Sequence, residues 1–107
     1  MAIGPHDLAR WESAENGALR FVVRGDLDLS VLDRLVEAMW TRAPGSVPRV
    51  EIDLGAVGFF DTSVARTLER YRLEASERDA DVRVVVASPV PLMVLRLTGM
   101  SKLLGVD

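Results

Sequence analysis

Apolar and polar residues alternate along LRFVVR (Leu19 to Arg24), where β-branched residues also cluster. A period of two marks a strand with one covered face. ENG before it is a turn signal, and LARWES before that completes an N-terminal hairpin. In GDLDLSVLDRLVEAMWTRAPG the period changes, since Val31, Leu32, Leu35, Val36, Met39 and Trp40 recur at helical spacing. Ser30 followed by Asp33 has capping-box spacing, and Pro44 with Gly45 ends the helix. RVEIDL (Arg49 to Leu54) is a short strand with Val50, Ile52 and Leu54 on one face. A second helix follows, with Val64, Leu68, Tyr71 and Ala75 at i, i+4, i+7 and i+11 and charged residues elsewhere. VRVVVA (Val82 to Ala87) is an unbroken apolar run, the pattern of a strand covered on both faces, and is expected at the sheet centre. Ser88, Pro89 and Pro91 open a third helix running to about Thr98, with Gly99 at its stop, and SKLLGVD is compatible with a short edge strand.

The element order ββαβαβα, with an optional last strand, predicts an α/β fold. Its sheet is mostly parallel or mixed, with four to five strands, an N-terminal hairpin and about three helices. With 107 residues, the chain is expected to form a single domain over 1–107. The longest apolar runs fall far short of the roughly 20 residues that span a bilayer, and no basic-then-apolar leader opens the chain, so a cytoplasmic location is expected. There is no cysteine, and His6 is the lone histidine, which argues against a metal site and leaves no cofactor indicated. The net charge is -3 and the arginines alternate with acids, so nucleic acid is a poor partner. Phosphate-binding glycine loops and nucleophile elbows are missing, and a Ser or Thr nucleophile would lack its usual base; the chain is not expected to be an enzyme.

FFDTSVARTLER carries the one polar cluster that asks for chemistry. Asp61 suits the N-cap of the second helix, where it would accept one of the unpaired N–H groups. On the simplest reading Thr62 and Ser63 are then only small first-turn residues. On the sharper one, a hydroxyl one residue past the cap sits at the end of the sheet, where α/β folds place their sites and where a helix N-terminus tolerates a phosphoryl group. Asp28 likewise reads either as a turn residue before a helix or as a neighbour of Asp61.

Three blocks resemble the STAS domain family, specifically its bacterial anti-sigma factor antagonists: GDLDLS, VEIDLGAVGFFDTSVARTL and PVPLMVLRLTGMSKLLGV. The resemblance spans about Leu19 to Val106. Gly25, Leu27 and Asp28 match the family's first block, Asp61, Thr62 and Ser63 the second, and Leu97, Gly99 and Met100 the third. It implies a phosphosite at Thr62, with Ser63 second, and a docking surface of Asp28, Asp61, Thr62, Ser63 and Val64. The implied partner is an anti-sigma factor of the GHKL kinase type, with a phosphatase to reverse the modification and no membrane insertion. The implied alternative is the STAS subunit of an ABC lipid-transport complex, docked on its ATPase. Two departures stand out: Val64 replaces the family's glycine after the hydroxyl pair, and the phosphosite is Thr where Ser is commoner.

Overall fold

The computed structural model describes residues 8–105; His6 lies outside them. Strands β1 (Ala9–Ser13) and β2 (Leu19–Leu27) form the expected hairpin, paired antiparallel with Trp11 opposite Phe21. Its turn places Asn16 and Gly17 at positive φ, 59° and 79°, where an Asn–Gly pair costs least. Helix α1 (Leu32–Trp40) leads to β3 (Arg49–Phe60), helix α2 (Thr62–Ser76) to β4 (Asp81–Ala87), and helix α3 (Pro89–Leu97) to a last 3₁₀ turn, Ser101–Leu104. The sheet order is β1-β2-β3-β4, with β2, β3 and β4 mutually parallel. This four-stranded mixed sheet with three helices is the predicted fold class.

One face of the sheet builds the core. Phe21, Val23, Ile52, Leu54 and Val82 meet Leu35 and Met39 from α1, Leu68 and Tyr71 from α2, and Leu95 from α3. Each such fully buried side chain contributes about 1.5–3 kcal/mol relative to exposure. Tyr71 anchors the centre: its ring lies 5.1 Å from Trp40 and 6.4 Å from Trp11, and its hydroxyl donates to the Arg42 carbonyl at 2.7 Å. Burial pushes that phenol up to about 12. On the other face, strand neighbours of the core residues carry charge, and Arg20 pairs with Glu51 at 2.8 Å across β2 and β3.

Three sequence expectations need correction. VRVVVA is not at the sheet centre; among the described residues β4 pairs only with β3 and forms the edge. A register shift opposite Ile52 and Asp53 leaves Val85 without a partner, so Val85 and Val86 are both exposed, at 42% and 44%. The apolar run thus reflects a bulge that breaks alternation, not burial on two sides. SKLLGVD adds no strand in its described part: Ser101–Leu104 turns as a 3₁₀ helix that buries Leu103. The Ser30–Asp33 capping box does not form, because Asp28 caps a 3₁₀ turn (Leu29–Val31) and Val31 enters α1 with no side-chain cap.

Gly99 is where it was expected. At φ 74° it follows α3, its N–H donates to the Arg96 carbonyl at 3.3 Å, and Met100 N–H reaches back to Leu95 at 3.0 Å. This double return is a Schellman closure, and it seats Met100 against the core.

Candidate functional site

The parallel strands β2 and β3 end side by side, with Leu27 opposite Phe60 and both buried. Asp61 N–H donates to the Leu27 carbonyl at 3.1 Å, so the segments that follow, Asp28–Leu29–Ser30 and Asp61–Thr62–Ser63, leave the same end of the sheet. They repeat one device. Oδ1 of Asp28 accepts from Ser30 N–H at 2.9 Å and from the Ser30 hydroxyl; Oδ1 of Asp61 accepts from Val64 N–H at 3.2 Å and from the Ser63 hydroxyl. Each aspartate caps the turn after its strand and ties up the serine two residues on. The Ser30 hydroxyl, and after it the Ser30 N–H, hold the Asp28 carboxyl below its ordinary value.

What each turn leaves free is its middle residue. Leu29 is 68% exposed, and Thr62 is exposed in the first turn of α2 with no side-chain hydrogen bond among the described residues. Thr62 therefore differs from Ser63 in two ways, since Ser63 is half-buried and its hydroxyl already donates to Asp61. Below them, the Thr67 hydroxyl donates to the Ser63 carbonyl at 2.9 Å and fixes the turn. The Ser88 hydroxyl, bonded to the Val57 carbonyl, fastens the start of α3 to β3 nearby.

Asp28, Asp61, Thr62 and Ser63 are thus brought to one sheet end. Val64 is not on that surface. Its side chain is fully buried in the core beneath α2, so it presents no atom to a docking protein, and its expected contact role is withdrawn. The valine where the family has glycine fills the interior instead. Sequence reasoning missed two apolar residues at this end, Leu29 and Phe59, the latter 48% exposed directly before Phe60. The signal for Leu29 was available in the recurrence of D-x-S, as DLS and DTS, after two strands.

Asp26 joins the acidic rim, its carboxylate 2.9 Å from where a side chain at Gly58 would begin. Among the described residues no group of three or more His, Cys, Asp or Glu side chains is placed to hold a metal, and no helix is long and apolar enough to cross a membrane. The arrangement offers an exposed hydroxyl in the first turn of α2, one residue past the capping Asp61 and at the sheet end that also carries Asp28.

The fold has close solved counterparts. An anti-sigma factor antagonist from Mycobacterium paratuberculosis superposes with a TM-score of 0.78 at 24% identity, covering 90% of this chain and 80% of that one. The anti-sigma factor antagonist SpoIIAA in its unphosphorylated form superposes with a TM-score of 0.74 at 15% identity, over 90% of this chain and 84% of the other. No curated protein sequence is a significant match. The family model described as "Mlab, STAS domain" matches residues 12–105, which takes in both aspartate turns, α2 and the Gly99 closure, and the chain belongs to the STAS domain family.

Proposed function

We propose that the protein is an anti-sigma factor antagonist, a binding module that sequesters an anti-sigma factor kinase of the GHKL type and so frees a sigma factor. In this reading the kinase phosphorylates Thr62 with its own ATP, a phosphatase reverses the step, and the protein itself catalyses nothing. The observation that carries the proposal is the contrast at the α2 N-terminus: Asp61 engages the Ser63 hydroxyl and leaves that of Thr62 exposed. A phosphoryl group there would carry about -1.5 to -2 charges to the positive end of a helix without displacing a packed atom. The same charge would land on a rim already holding Asp26, Asp28 and Asp61, altering the docking surface while sparing the core. Leu29 supplies exposed apolar area at the same sheet end, and Asp28 and Asp61 supply its acidic frame.

The test is site mapping. Incubated with its cognate kinase and ATP, the protein should acquire one phosphate, located on Thr62 by peptide mass spectrometry. Phosphate confined to Ser63 would overturn the assignment, because it would require the Asp61 contact to break first.

A further inference from the structure

We propose that the cleft between the last turn of α2, the start of β4 and the final 3₁₀ turn binds a small phosphate-bearing anion. The cleft encloses about 220 Å³ and lies at the opposite end of α2 from Thr62. Arg72, Arg83 and Lys102 line it together with Ser76, against Asp81, the one lining carboxylate among the described residues. In a chain of net charge -3 this is a local reversal of sign.

The hydrogen bonding leaves that charge available. Asp81 is taken up by Nε of Arg83 at 3.0 Å, and Glu69 by Nε of Arg72, so among the described residues the terminal guanidinium nitrogens of both arginines keep their donors. Lys102 has no ion pair among the described residues. Gly105 makes room: at φ 76° it closes the final turn, and a side chain there would begin 3.1 Å from Nη1 of Arg83. Two planar forks and an ammonium suit a group with several oxygens and more than one negative charge, and the Ser76 hydroxyl adds a neutral donor. A lone carboxylate has two oxygens for the free donors of three side chains, so the chemistry favours a phosphate group over simple carboxylic acids.

The experiment is an amide chemical-shift titration of the full chain with pyrophosphate, with acetate as control. Saturable shifts are expected at Ser76, Arg83, Lys102 and Gly105, with millimolar or tighter affinity and no saturation by acetate. Arg83→Ala and Lys102→Ala should each weaken binding at least about fivefold. Ser76→Glu should abolish it, while Arg34→Ala, an exposed arginine in α1, should leave it unchanged. Absence of saturation, equal response to acetate, or equal loss in Arg34→Ala would overturn the proposal. Because none of these readouts involves Thr62, they hold or fail separately from the switch.

Discussion

In the first turn of α2, Val64 is a packing residue, so its replacement should act on stability and not on binding. Val64→Gly deletes a fully buried side chain and puts glycine into a helix, for a combined cost of about 2–4 kcal/mol. The melting temperature should fall by more than about 8 °C, while affinity measured well below the melt should stay unchanged. A loss under about 1 kcal/mol would mean that the core closes over the gap. Asp61 was legible from sequence because an N-cap is a local rule, an acceptor three residues before the donor it serves. Asp28 and Ser30 were harder: both can cap, and which does so depends on where β2 ends against β3, a long-range fact. Val64 was misread for a related reason, since the helical pattern places it on the covered face while the family resemblance implied an exposed one.

Helix α2 tolerates charge at its start better than at most places in the molecule. Thr62→Glu places an acid at the first helical position, where the helix dipole contributes typically 0.3–1 kcal/mol in its favour. The melting temperature should therefore stay within about 8 °C of the parent, whereas a larger drop would show that the hydroxyl is a structural group. Among elements, the helices were the most readable because their apolar residues repeat over several turns and end at strong signals such as Gly99. The strands were recognised but placed in the wrong order across the sheet. β3 runs on to Phe60, six residues past the apolar core of RVEIDL, because pairing with β2 continues through two register shifts that no periodicity announces. β4 was placed at the centre on hydrophobicity alone, although its bulge at Val85 lets consecutive valines sit at an edge.

At the scale of the whole molecule the decisive comparison is between two substitutions at one position. If Thr62 sits in a desolvated contact with an anti-sigma factor, Thr62→Glu should weaken binding at least about 100-fold, roughly 2.7 kcal/mol, while Thr62→Ala loses only a hydroxyl contact. Calorimetry against candidate kinases reads the asymmetry directly. Equal affinities for both variants, or binding only to an ABC ATPase, would replace the switch with the transporter reading. The antiparallel hairpin also fixes something practical. Ser13 ends β1 opposite Leu19, which pairs with Val50, so it lies about ten residues of strand, roughly 30 Å, from the end of the sheet that carries Thr62. It is exposed, and the chain contains no cysteine. A single Ser13→Cys exchange therefore creates the sole thiol, and a fluorophore coupled there can follow complex formation by anisotropy from the far side of the protein.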